Sequence, residues 1–374
     1  MIKSEISEIK KQFNHENCAI TKVSGCYVDG EKEVKTKFTQ SFLGLPEEET
    51  FKYFEIFKKS LSGTLGKNLI NMEFPLEQEF EGGTQKFLLN LRDSELKDEE
   101  LLDEFYQKII ETYDYTGNYL ILLIYSAYDV PGKTKDNILM DDASDEVYSF
   151  ILCAICPVKL SKPGLSYYDE TNEFKRRIQD WVVDMPLNGF LFPAFNDRST
   201  DIHSLLYYSK NSEDLHNDFI KQFLGCEVPL SAGGQKEIFK TLIEETLGNE
   251  CEYEVVRNIH DKLNEIIEEK KDIPEPIIID KAEVKTVLYE SGVEEEKLAI
   301  LDKNFEEIAG NNVALVATNL INTKTFEVKT PDVVIKVNPE RTDLVDTKVI
   351  DGRKCLVIEI NDAVEVNGIN IKTI

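Results

Sequence analysis

The stretch LLYYSKNSEDLHNDFIKQFLGCEVPLSAGGQKEIFKTLIEE, residues 205–245, decides how this chain reads. Leu205, Leu206, Tyr207 and Tyr208 make an apolar, aromatic run of strand type. Ser212 then stands where a helix N-cap would, and Leu215, Phe219 and Leu224 recur at near-helical spacing. Gly225 supplies the stop, because glycine takes the left-handed backbone that closes a helix without a steric penalty. A second helix is expected over 231–247. Strand, capped helix, stop and helix follow with no catalytic constellation among them, which is a layout suited to packing and contact.

Working outward, residues 1–13 carry an amphipathic helix pattern, and two β-rich runs over 19–38 flank Asp29-Gly30, a hairpin turn pair. Pro46 opens a helix that turns Phe51, Phe54, Ile56, Phe57 and Leu61 toward a core, with Gly63 as its stop. A helix is predicted over 97–113, and strands over 119–128, 147–160, part of 181–195 and 202–208. Several connections between these strands are too short for a crossover helix, so the sheet is expected to be antiparallel. Further helices are predicted over 252–270, 281–289 and 294–308, and strands over 333–337, 347–350 and 355–360 around Asp351-Gly352. Pro274 and Pro276 break the pattern between them. The expectation is an α+β protein with a mainly antiparallel sheet and packed helices. Its main domain spans 1–271 and turns helical from about 212; a small C-terminal α+β domain spans 277–374.

Seventy carboxylates against 43 Lys and Arg give 374 residues a formal charge of −27. That charge favours solubility and opposes indiscriminate attachment to polyphosphates or anionic membranes. The longest apolar run, 119–127, is about half the length a membrane-spanning helix needs, and the N-terminal pattern lacks the apolar core of an export signal. Seven irregularly spaced cysteines fit reduced thiols better than a disulfide framework. The expected place of action is the cytoplasm, with no membrane association.

Four stretches bear on chemistry. Ala127 to Thr134 fits a loose phosphate-loop pattern through Gly132, Lys133 and Thr134, but the acidic residues beyond it show no amphipathic helix to hold a phosphate, and a polar hairpin loop is the competing reading. Cys153 and Cys156 have redox spacing inside an apolar run, where alternation sends them to opposite faces of a strand as inert thiols. His15, His203, His216 and His260 lack ligand spacing, and Asp141, Asp142, Asp145 and Glu146 lack the glycine of a calcium loop, so no metal site and no cofactor are expected. Asn196, Asp197, Arg198, Asp201 and His203 form a candidate ligand loop that could grip an anion or satisfy itself as a turn.

Basic residues are scarce, and Lys159, Lys162, Lys175, Arg176 and Arg177 cluster near Tyr167, Tyr168 and Trp181. Brought together they would contact DNA phosphates. The alternative is a helix with a mixed charged face.

Through GCYVDGEK, FKYFEIFKKSLSGTLGKN, DVPGKT, ILCAICPVKLSKPGLSY and FLFPAFNDRSTDIHSLLYYSK the chain resembles a family of unknown function from Gram-positive anaerobic bacteria. Its C-terminal half is also similar to the nucleoid-associated protein family of Gram-negative bacteria. That similarity runs through Phe223-Leu224-Gly225, Gln235, residues 301–309, Val334 to Asn338 and residues 355–360. It implies a cytoplasmic, chromosome-associated protein that binds duplex DNA or a DNA-associated protein and has no catalytic residues. The alternatives are a nucleotide hydrolase built on 127–134, and an acidic module that binds proteins and has no DNA affinity.

Overall fold

The computed structural model describes residues 1–133, 139–310, 313–360 and 364–371, with backbone alone for 133 and 139–145. The chain divides into two compact units, Met1–Ser231 and Ala232–Ile374. The unit boundary therefore precedes the proline pair by some forty residues, and the two long helices before Pro274 belong with the C-terminal unit.

The first unit runs α1 (Lys3–Lys10), β1 (Lys22–Val28), β2 (Val34–Ser41), α2 (Glu47–Ser60), β3 (Leu69–Glu73), α3 (Thr84–Asp93), α4 (Glu99–Thr112), β4 (Asn118–Lys133) and β5 (Leu139–Leu160). It continues with β6 (Leu165–Tyr168), β7 (Glu173–Arg176), β8 (Trp181–Val183), β9 (Asn188–Phe192), β10 (Ala194–Asn196), β11 (Ser199–Asp201) and β12 (Ser204–Ser209). One antiparallel sheet has the order β2-β1-β4-β5-β9-β12-β3, with β8 beside the end of β5.

Alternation along β4 and β5 builds a core on each face. Ile121, Leu123, Ile151 and Cys153 meet Leu88 and Leu91 of α3 and Phe105 and Ile109 of α4; Leu122, Ile124, Leu152 and Cys156 meet Ile6 and Ile9 of α1 and Phe54 and Phe57 of α2. The unit is thus three layers, helices on both faces of an antiparallel sheet. Phe51 departs from the expected stripe: it is 48% exposed and packs its ring edge-on to His15. The helix α3 has no counterpart among the predicted elements.

The deciding stretch also folds differently at its centre. Ser212 caps nothing; helical backbone begins at 217, and Phe219–Leu224 is wound as a π-helix closed by Gly225 at φ 67°. Asn211 and Asp214 instead accept from the backbone N–H two residues on, turning the chain, and His216 takes a left-handed φ of 55°. The wider winding sends Phe219, Ile220, Phe223 and Leu224 into the α3/α4 core together.

The second unit comprises α5 (Ala232–Leu247), α6 (Tyr253–Glu269), β13 (Ile278–Ile279), α7 (Lys281–Glu290), α8 (Glu295–Ile308), β14 (Leu315–Val316) and α9 (Ala317–Leu320). After these come β15 (Phe326–Lys329), β16 (Val334–Val337), β17 (Val345–Ile350), β18 (Arg353–Ile358), β19 (Val364–Val366) and β20 (Ile369–Ile371). Phe239, Leu242, Leu263, Leu288, Leu301 and Phe305 centre its core. Asp280 caps α7 with a capping box to Glu283. The last six strands form three separate two-stranded hairpins, and Asp351-Gly352 turns the second of them.

Candidate functional site

Past Leu160 the chain leaves the sheet as an arm. Among the described residues, strands β6 and β7 pair only with each other, and β8 returns against residues 158–160 of β5. A clamp fixes the base: Ser161 N donates to Asp180 O at 2.8 Å, Gln179 Nε2 to Ser161 O at 2.7 Å, and Lys159 pairs with Asp184 at 3.0 Å. At the tip, Asn172 closes the loop at φ 50°. The register sets Leu165 opposite Arg176 and Tyr167 opposite Phe174, so these four side chains share one face. The Tyr167 and Phe174 rings lie 5.3 Å apart.

The arm exposes a run of apolar side chains among its charges. Leu165 is 75% exposed, Phe174 and Ile178 72%, and Trp181 55%, with Tyr167, Val182, Val183 and Met185 exposed as well. A two-stranded ribbon is marginal on its own, and contiguous exposed apolar surface marks an interaction site.

The five predicted DNA contacts all lie on this arm or at its base. Lys175 and Arg176 sit on β7, so the expected mixed-face helix is a strand hairpin. Lys175 is spent on Glu173 at 2.6 Å. Lys159 is held charged by its Asp184 hydrogen bond, which raises its pKa. Among the described residues Lys162, Arg176 and Arg177 have no carboxylate within 4.0 Å.

The candidate ligand loop lies elsewhere, in a tight hairpin between β10 and β11 whose two turn residues, Asp197 and Arg198, both have positive φ. Arg198 donates to both Glu8 oxygens, at 2.9 and 3.3 Å, and to Pro131 O at 3.1 Å. That ion pair raises its pKa. Asn196 donates to Asp201 at 2.6 Å, and His203 pairs with Glu79 at 2.6 Å, which raises the imidazole pKa. Burial pushes Asp201 up, yet hydrogen bonds from Ser204, Asn196 and the His203 N–H leave it below its ordinary value. Four of the five side chains are therefore engaged within the fold.

Of the candidate phosphate loop, Gly132 and Lys133 lie on β4, paired with Met140 and Leu139 of β5, and Thr134 lies outside the described residues. A phosphate loop leads from strand into helix; here the chain resumes at Leu139 as strand. Burial holds Cys153 well above the usual thiol range and raises Cys156, the mark of structural thiols. The side chains of Asp141, Asp142 and Asp145 are outside the described set, while Glu146 accepts from Ser199 and Thr200, which lowers its pKa. Among the described residues no three His, Cys, Asp or Glu side chains converge as metal ligands, and no helix is long and apolar enough to cross a membrane.

The apolar character of the arm went unread in the sequence. Leu165, Phe174 and Ile178 stand scattered among charges after Pro163-Gly164, with no periodicity to mark them.

Comparison with curated proteins and with solved structures found no match. The family model for a domain of unknown function, DUF4317, matches residues 1–369, and the chain belongs to that family.

Proposed function

We propose that this protein acts by binding and not by catalysis, with the arm over 159–185 as its contact element and a protein partner at the nucleoid, in the cytoplasm, as its target. The observation that carries this reading is the run of exposed apolar side chains on an arm whose strands β6 and β7, among the described residues, pair only with each other. Contiguous exposed apolar surface of this kind is what marks protein interaction sites. Aromatics, Met and Arg, all present here, are the types enriched at interface centres.

A second reading is direct contact with duplex DNA, favoured by Lys162, Arg176 and Arg177, which have no carboxylate within 4.0 Å among the described residues and lie on the same arm as Tyr167 and Trp181. Two-stranded ribbons enter DNA grooves, and such cations position a protein on phosphates without reading sequence.

Two variants separate these readings. Phe174→Asp with Trp181→Asp should abolish co-purification of a stoichiometric protein partner and leave folding intact. Arg176→Glu with Arg177→Glu should weaken duplex binding in a salt titration and flatten its slope by about 0.9 per lost phosphate contact. Partner and DNA binding that survive both variants would remove the arm from the mechanism.

A further inference from the structure

The arm separates its charges along its length. In the β6–β7 ribbon Tyr168 stands opposite Glu173, Tyr167 opposite Phe174 and Leu165 opposite Arg176, and Arg177 N donates to Gly164 O at 2.9 Å, which carries the pairing one step further. The distal turn holds Asp169 and Glu170, both exposed. The proximal end holds Lys162, Arg176 and Arg177, exposed as well. Among the described residues no cation lies within 4.0 Å of Asp169 or Glu170, and no carboxylate lies within 4.0 Å of the three cations. Between the two ends Lys175 and Glu173 satisfy each other at 2.6 Å.

Strand geometry fixes the spacing. At about 3.3 Å of rise per residue the acidic turn lies roughly 15 Å from Arg176 and Arg177. By register the Tyr167 and Phe174 rings, 5.3 Å apart, stand midway between the two ends, on the exposed face they share with Leu165.

This arrangement is self-complementary under a two-fold axis. When a second arm is turned end for end and its apolar face is laid on the first, the two aromatic pairs meet at the centre and each acidic turn falls against the other arm's arginines. A parallel alignment would set acid on acid and base on base, and is rejected by charge. Residues 161–178 hold four Lys and Arg against three Asp and Glu, so two chains of charge −27 meet here without the acid excess of the chain as a whole. A two-stranded ribbon is marginal alone, and a second ribbon stacked on its apolar face supplies the missing layer.

We propose, on the reading of the arm as the contact element, that its apolar face is covered by the same face of a second copy of this chain. The two arms run antiparallel about an axis at Tyr167 and Phe174, with Asp169 and Glu170 of each copy against Arg176 and Arg177 of the other.

Sedimentation velocity on the full chain over a range of concentrations tests the pairing. The expected species has twice the 42.8 kDa of one chain, and added salt loosens it because unlike charges meet at both ends. Arg176→Glu with Arg177→Glu, and separately Asp169→Lys with Glu170→Lys, should each weaken self-association about tenfold, since like charges then meet in each homodimer. An equimolar mixture of these two variants should recover the wild-type affinity, because unlike charges face each other again at both ends. All four positions are exposed, and circular dichroism checks that folding is kept. A chain that stays monomeric at about 100 μM overturns the proposal. So does a dimer whose affinity neither variant changes, or a mixture that associates no more tightly than its components. Loss of a different protein from a monomeric chain on Phe174→Asp with Trp181→Asp overturns self-pairing and leaves the arm as the contact element; a monomer that binds the same proteins with and without those changes removes the arm as well.

Discussion

Tyr113, just past α4, donates its hydroxyl proton to Asn188 Oδ1 at 2.8 Å inside the core between the sheet and its helices. Asn188 in turn donates to Tyr207 Oη at 2.8 Å and to Ser209 Oγ at 3.3 Å, and Tyr207 donates to Leu215 O at 2.8 Å. One buried amide therefore ties α4, β9, β12 and the turn before the π-helix together. A fully satisfied network of this kind specifies one packing, and a broken one leaves orphaned polar groups in a low dielectric.

Asn188→Leu keeps the branched shape and removes the three bonds that Asn188 itself makes. The first unit should lose about 2–3 kcal/mol, and Tyr113→Phe about 1 kcal/mol. Equilibrium urea unfolding followed by circular dichroism measures both; a neutral Asn188→Leu would show that the network contributes nothing to stability.

Gly189 pairs with Ala154 across β5 and β9, and a Cβ there would stand 2.4 Å from Cys153 O. Backbone cannot yield as a flexible side chain can, so Gly189→Ala should cost about 1–3 kcal/mol through forced separation of the two strands. Gly164→Ala on the arm meets nothing within 4 Å and is the matched control. Equal melting temperatures for the two variants would contradict the close strand approach.

Among the thiols, Cys251 is exposed, Cys18 and Cys355 are intermediate, and Cys26, Cys153, Cys156 and Cys226 are buried. Native labelling with a thiol reagent, read by peptide mass spectrometry, should modify Cys251 first and reach Cys153 and Cys156 only after unfolding. Rapid native labelling of Cys153 would place a redox pair where the fold puts two faces of one strand.

His216 stacks on Tyr113 with ring centroids 4.6 Å apart, and burial lowers its pKa against the smaller opposing pulls of Asp214 and Asp114. The unfolded chain then binds the proton more readily, so stability falls as pH drops from about 6.5 toward the folded pKa. His203, exposed and bonded to Glu79, has a raised pKa and the opposite sign: its small contribution is present below about 6.5 and fades as pH rises through the folded value. Melting temperature against pH from 5 to 8 should flatten at the acid end in His216→Asn, which tolerates the left-handed backbone. An unchanged acid slope would assign the acid loss to other groups.

Residues whose role follows from local periodicity were legible before the fold was. The helices predicted over 252–270, 281–289 and 294–308 fell within a residue of α6, α7 and α8, because amphipathicity acts over one or two turns. The opposite facing of Cys153 and Cys156 followed from strand alternation alone. Ser212 misled, because its capping chemistry is shared by any turn, and Asn211 and Asp214 took that turn instead. The cluster around Arg198 could not be resolved in sequence either, since its partner Glu8 is 190 residues away.

The sequence by itself determined the α+β class, the antiparallel sheet, the buried β4 and β5 cores and the clustering of cations over 159–177. All of these rest on composition, alternation and short connections, which are local quantities. Only the tertiary structure decided that β6 and β7 leave the sheet with apolar side chains exposed and that Arg198 is held by Glu8. Exposure and hydrogen-bond satisfaction depend on which distant segments arrive to cover a side chain, and that is settled by packing across the whole unit.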